Sequence, residues 1–402
     1  MFASLRFLAV LLVAASLGLG VALAQKKYGP GASDTEIKIG QTMPYSGPAS
    51  AYGTIGKTEV AYFKMINDQG GINGRKINLV SLDDGYSPPR TVEQIRRLVE
   101  EEEVLFTFQT LGTPPNTAIH KYMNAKKVPQ LLVATGATKW GDPEHYPWTM
   151  GWQPPYQHEA HVYAKYLLKN KPNAKVAVLY QNDDYGKDYL KGFKDGLGDK
   201  AASMIVAEAS YEVTDPSVDS QIITLQASGA DTFFNITTPK FAAQAIRKAY
   251  DTGWKPLHII NNVSSSVAAV LQPAGLEKSV GLVSIIFGKD PADPTWKDDK
   301  GMKDYFGFMK KYYPEGNPED NLNAYGYGAA QGLVQVLKQC GDDLTRENVM
   351  RQASNLKDVE VSLLLPGMRV NTSPTDFYPV KQVQLVRFDG KSWVRFGELM
   401  SR

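Results

Sequence analysis

Short β-rich runs and longer helix-patterned runs alternate along most of this chain, and the alternation starts twice. In the first series Ile37 to Gln41 reads as strand, Gly53 to Asn67 as helix, Lys76 to Leu82 as strand and Thr91 to Glu102 as helix. Val104 to Phe108 (strand), Thr117 to Ala125 (helix) and Val128 to Val133 (strand) complete it. The second series begins with a helix over His158 to Leu168 and a strand over Val176 to Tyr180. It ends with a helix over Lys240 to Asp251 and a strand over Leu257 to Ile260. Apolar residues near helical spacing (Ile55, Val60, Phe63, Ile66) separate the two kinds of segment. Such alternation builds parallel sheets covered by helices, so the predicted fold class is α/β with two doubly wound, Rossmann-like lobes. Two sheets of roughly four to five strands fit better than one very large sheet. Pro143, Pro147, Pro154 and Pro155 separate the series and mark a crossing between lobes. Further on, Trp296 to Tyr313 and Tyr325 to Lys338 read as helices, and Lys381 to Phe396 as a hairpin around Asp389-Gly390.

A chain of 402 residues, 10% aromatic and 21% charged, is long enough for two packed cores. Its formal net charge is only +2, with Lys and Arg scattered, so nothing here is built to attract nucleic acid. The start is different. Arg6 precedes an apolar run from Phe7 to Leu19, and Ala22-Leu23-Ala24 sets small residues before Gln25. Residues 1–24 therefore read as a cleaved secretory signal peptide. The apolar run is shorter than the ~20 residues of a spanning helix. The single cysteine, Cys340, is expected to be a buried, inert thiol.

No enzyme signature stands out. There is no Gly-x-Ser-x-Gly elbow and no glycine-rich phosphate loop ending in Lys-Ser/Thr. His158 and His161 are three apart, not the four of a zincin helix, so neither a metal nor a cofactor is expected. What recurs instead is a loop chemistry at the carboxyl ends of predicted strands, where open α/β sheets bind ligands. These loops are Met43 to Gly53, Gln109 to Pro115, Thr135 to Thr138, Asp183 to Gly186, Thr237-Thr238 and Asn261 to Ser264. They are rich in Gly, Ser, Thr, Asn and Tyr, whose hydroxyls and amides hold an anion without a buried cation.

Ile37-Lys38-Ile39-Gly40, Pro44-Tyr45-Ser46-Gly47, Tyr52-Gly53 and Gly70-Gly71-Ile72-Asn73-Gly74-Arg75 stand, in that order, as in the leucine/isoleucine/valine-binding protein family. Asp83-Asp84, Thr135-Gly136-Ala137-Thr138 and Asp184-Tyr185-Gly186 extend a resemblance that spans nearly the whole mature chain. It implies the type I periplasmic-binding fold, with a three-segment hinge. One lobe is then expected from residues 35–153 plus 286–343, the other from 154–285 plus 344–402. It also implies a monomer in the periplasm that hands a small molecule to the permease and ATPase subunits of an ABC importer.

The resemblance implies a ligand set as well. Family members hold an α-amino acid's carboxylate on loops matching Leu111, Gly112, Thr113, Thr135, Ala137 and Thr138, and place further contacts at Tyr52 and Tyr185. Two family acids that hold the ammonium are replaced, one by the Pro154-Pro155-Tyr156 segment and one in the loop at Asn261-Asn262. Tyr86 replaces a family cysteine. An ammonium buried without an anion is costly. The expected ligand is therefore a carboxylate with an aromatic body, a benzoate or a phenylpropenoate such as coumarate. It docks on Gly112, Thr113, Ala137 and Thr138, and hinge closure brings Tyr156, Tyr185, Thr238 and Asn262 over it. Phe108 and Trp152 are further candidates for its aromatic wall. The alternatives are an aliphatic amino acid or amide, and a sensing module that feeds a separate receptor.

Overall fold

The computed structural model describes residues 26–402, and the expected signal peptide lies outside them. One sheet contains β1 (Glu36–Met43), β2 (Lys76–Asp83), β3 (Thr107–Phe108), β4 (Gln130–Val133) and β5 (Thr149–Gly151). All five strands are parallel, in the spatial order 2-1-3-4-5. Helices α1 (Gly53–Asp68), α2 (Pro88–Arg96) and α3 (Thr113–Ala125) connect them. After α4 (Tyr156–Asn170) come β6 (Val176–Gln181), α5 (Asp184–Leu197), β7 (Ile205–Tyr211), α6 (Asp219–Ala227), β8 (Thr232–Ile236), α7 (Pro239–Asp251), β9 (Leu257–Ile260) and β10 (Val283–Ile286). These strands are parallel too, in the order 7-6-8-9-10. The two sheets thus repeat one doubly wound plan. The fold is that of the type I periplasmic-binding proteins.

Burial explains why the strands were legible. Every residue of β8 (Thr-Phe-Phe-Asn-Ile) is buried, as a central parallel strand covered on both faces must be. β7 lies at the sheet edge and alternates exposed with half-buried residues until Tyr211. Three elements escape the sequence pattern: β5, β10 and α10 (Arg346–Ala353). The two strands have only three and four residues, too few to show a period.

The chain crosses between the sheets three times: after β5, after β10, and again before β11 (Gln382–Phe388). β11 adds antiparallel to β10, and β12 (Trp393–Arg395) adds antiparallel to β11. Between the last two crossings α8 (Lys300–Tyr312) and α9 (Asn321–Cys340) return to the first sheet, where Gly326 of α9 packs on the Ile55 carbonyl of α1. The expected lobe boundary at 343/344 comes too early. Arg346 donates to the carbonyls of Leu105 and Val104, both at 2.8 Å, and so ties α10 to the first lobe. The second and third crossings run side by side, with Lys289 N–H on the Leu363 carbonyl (2.7 Å) and Leu365 N–H on that of Phe287 (3.1 Å).

One buried acid fixes the wall that the second lobe offers. Glu159 of α4 accepts from Tyr163 (2.7 Å), Tyr189 (2.8 Å) and the Asn262 N–H (2.7 Å). Burial pushes its carboxyl up to about 7, against the three donors that favour its charge. Glu159→Ala strands the Asn262 N–H and the Tyr189 hydroxyl, and is expected to cost about 2–4 kcal/mol. Urea denaturation of the ligand-free protein checks this; a loss under about 1 kcal/mol contradicts it.

Candidate functional site

In both sheets the strand order reverses beside the first strand of the series, between β1 and β3 and between β6 and β8. Loops leave such a point toward opposite faces and open a crevice. The crevices of the two lobes face each other across one cavity. Eight residues expected from the sequence line it: Tyr52, Leu111, Gly112 and Thr113 from the first lobe, and Tyr156, Tyr185, Thr238 and Asn262 from the second. Trp152 and Gln153 of the first crossing line it as well.

Thr135, Ala137 and Thr138 do not line this cavity. Thr138 is taken by another partner. Its N–H and Oγ1 donate to the Asp188 carboxylate of α5 at 2.8 and 2.9 Å, and its carbonyl accepts from the Tyr378 hydroxyl. Thr135 works from behind. Its Oγ1 lies 2.6 Å from Thr113 Oγ1 and accepts from the Ala137 N–H (3.3 Å) and from Trp140 Nε1 (3.2 Å). A hydroxyl oxygen has two lone pairs and one proton. Either hydroxyl of the Thr113–Thr135 pair can be the donor. Thr113 itself lines the cavity, with Thr135 behind it.

The backbone sharpens this. Leu111 N–H donates to the Thr42 carbonyl and Gly112 N–H to that of Ala134, both at 3.2 Å. Pro114 and Pro115 have no N–H, and Asn116 N–H already closes on Gly112. At the start of α3 only the Thr113 N–H is left over, beside the Thr113 hydroxyl. Gly112 is required by geometry. Its φ is +97°, and a Cβ there would sit 2.5 Å from the ring of Tyr86, another cavity residue.

The second-lobe polar groups are internally satisfied. Thr238 Oγ1 donates to Gln181 Oε1 (3.2 Å), and its N–H donates to the Tyr211 hydroxyl (3.0 Å). With the Asn261 amide nitrogen on the carbonyls of Asn235 (3.1 Å) and Thr237 (3.2 Å), its oxygen receives the Tyr185 hydroxyl. Asn262 Nδ2 donates to the Ile285 carbonyl at 3.0 Å. What remains for a ligand here is mostly ring surface. Tyr156 stacks on Tyr189 (4.3 Å between centroids, 22°) and meets Tyr185 edge-on at 5.5 Å. Phe108 is not part of this surface; it packs on Phe63 at 5.7 Å in the first-lobe core.

The expectation of a cleft without an acid needs correction. Asp290, on the second crossing, lines the cavity at 4% exposure. One of its oxygens accepts from the Ala292 N–H at 2.9 Å, and the other has no partner. Sequence reasoning searched the loops after predicted strands and missed Asp290 because it missed β10.

The sequence profile described as "Periplasmic binding protein" matches residues 36–392. The chain belongs to the periplasmic binding protein family. Leu/Ile/Val-binding protein homolog 1 of Brucella abortus is 26% identical over 354 residues, covering 85% of this chain and 89% of the relative. Two solved structures show the shared fold. A branched-chain amino acid ABC transporter structure from Thermus thermophilus, with bound valine, has a TM-score of 0.83 at 15% identity, over 92% of this chain and 98% of that one. A fatty acid ABC transporter substrate-binding protein from Thermomonospora curvata has 0.78 at 23%, over 94% and 95%. No helix among the described residues is long and apolar enough to cross a membrane.

In this family member the cleft is closed. The Tyr52 hydroxyl reaches across to the Val263 carbonyl at 2.9 Å. Lys139 pairs with Asp184 at 2.6 Å, and Ser266 Oγ donates to Asp320 at 2.8 Å. The Lys139 pair is solvent-exposed and contributes little. Tyr52 is buried, and its bond joins the two lobes. Tyr52→Phe keeps the ring and removes that bond, about 0.5–1.5 kcal/mol of closed-state stability. Calorimetric Kd values for any bound ligand are expected to rise roughly 2- to 10-fold, and an unchanged Kd contradicts the latch.

Proposed function

We propose that this protein captures a small carboxylate with an apolar, aromatic body in the periplasm. It then presents that molecule, as a monomer, to the permease and ATPase subunits of an ABC importer. The observation that carries the reading is the start of α3, where the Thr113 N–H has no partner within the helix and stands beside the Thr113 hydroxyl on the cavity wall. Two donors side by side suit the two oxygens of one carboxylate, and hydrogen bonds to a charged acceptor are the strong ones. The names of the two solved relatives agree with this chemistry, because valine and fatty acids both carry a carboxylate on an apolar body. The aromatic preference rests on Tyr156, Tyr185, Trp152 and Tyr325 around the same cavity.

Function is capture, not turnover. Closure brings Tyr156, Tyr185, Thr238 and Asn262 against the face that carries Thr113, and the closed surface is what a permease distinguishes from the open one. A second reading, an aliphatic amino acid, draws on Asp290 as a partner for an ammonium.

Calorimetry of the exported chain against benzoate, cinnamate, coumarate, leucine and valine separates the readings. Binding of the aromatic acids, and not of leucine or valine, is the expected result. Thr113→Val keeps the shape but removes the O–H, a bond to a charged partner of about 1.5–3 kcal/mol. It is expected to raise Kd roughly 10- to 100-fold. Micromolar leucine binding that Thr113→Val leaves unchanged overturns the proposal.

A further inference from the structure

We infer that the cavity between α4 and the terminal segment Met400–Arg402 is a second ligand site, which binds a small, multiply charged oxyanion of the phosphate or sulfate class. The inference goes beyond the proposed function, because no residue lines both this cavity and the cleft. Positions 158, 161 and 165 fall on one face of a helix. On α4 they are His158, His161 and Lys165, and all three line the cavity. Arg402 joins them from the terminal segment, which pairs with the start of β11 through Gln382 and Ser401. His158 is 9% exposed, and neither its Nε2 nor that of His161 has a hydrogen-bond partner. Buried polar atoms are as a rule paired, so two unpaired nitrogens on one cavity wall call for a ligand.

Charge decides what kind of ligand. No carboxylate lines this cavity, and the acids near it are taken. Asp188 accepts from Gln157 (2.7 Å) as well as from Thr138, Asp195 pairs with Lys191, and Asp376 pairs with Lys381 at 2.6 Å. Among the described residues neither Lys165 nor Arg402 enters an ion pair. The Arg402 guanidinium lies 4.2 Å over the Tyr378 ring, a contact of its face that leaves the N–H groups at its edge for an acceptor. Two histidines also suit a transition metal, but a metal ion meets two cations here and no group of three ligands among the described residues. An oxyanion meets donors on both sides.

The histidines respond to the same charges. Burial lowers the His158 imidazole to about 4, and His161, Lys165 and Arg402 add to the effect against a hydrogen bond to the Met400 backbone. Burial also lowers His161, with Lys165 and Lys191 lowering it further and Asp195 of α5 opposing them. A dianion beside these groups offsets their positive neighbours and favours the imidazolium. Binding therefore takes up a proton and tightens as the pH falls.

Titration of the exported chain with sodium sulfate, followed on the imidazole C–H resonances by NMR, tests the inference. Sodium chloride at equal ionic strength is the control, and His158→Gln and His161→Gln assign two of the five histidines. The expected result is that His158 and His161 shift along one saturating curve while His120 and His258 stay, and that the curve tightens from about pH 7.5 to about pH 5.5, where sulfate keeps its charge. Lys165→Ala combined with Arg402→Ala changes two exposed side chains and is expected to raise the sulfate Kd about fivefold or more. Thr113→Val is expected to leave it unchanged, which separates this site from the cleft. Glycerol phosphate in place of sulfate distinguishes the source: tighter binding than inorganic phosphate assigns an esterified oxyanion, weaker binding a free one. Shifts no larger than those in chloride, or a curve that survives the double substitution, overturn the inference. The wild-type titration needs no variant, so a misfolded variant does not rescue a failed prediction.

Discussion

The order of hydrogen bonds at Thr135 governs the rest of the site. Thr135 receives two N–H groups, one from the backbone at Ala137 and one from the indole of Trp140. Its hydroxyl also pairs with that of Thr113 at 2.6 Å. That network holds the Thr113 hydroxyl at the cavity wall, where the proposed carboxylate would meet it. A lysine in the same place would be more costly to bury and less selective for a planar, two-oxygen acceptor.

The architecture serves this arrangement. A doubly wound sheet places its first and third strands so that their loops part at the carboxyl end. Using the same order in both lobes gives two such partings, and the three crossings set them face to face. Each wall is held by contacts behind or beside the cavity lining. Glu159 pins the loop at Asn262, Asp188 pins Thr138, and Gly112 gives way to the ring of Tyr86. The cavity is therefore shaped by buried polar bonds on one side and by tyrosine rings on the other.

Much of this was legible in the sequence because central parallel strands are short, apolar and bounded by glycine and polar turns. β1, β2, β6, β8 and β9 announce themselves in that way, and the loops after four of them hold the expected cavity residues Tyr52, Tyr185, Thr238 and Asn262. The errors have one physical source, partners distant in the chain. Thr138 looks like an anion ligand until Asp188, far along the chain, claims both of its donors. Thr135 stands behind Thr113, bonded to it, and not on the cavity wall. Phe108 reads as a possible wall and is core, since β3 points it at Phe63. Asp290 was invisible because β10, four residues long with a serine inside, carries too little pattern to mark the loop that follows it.

A crystal structure of the protein with bound 4-coumarate tests the central claim most directly. The account places the two carboxylate oxygens about 2.8 Å from the amide nitrogen and the hydroxyl oxygen of Thr113, with Thr135 still bonded to Trp140 behind it. A carboxylate seated elsewhere, or Thr113 facing an apolar part of the molecule, contradicts it.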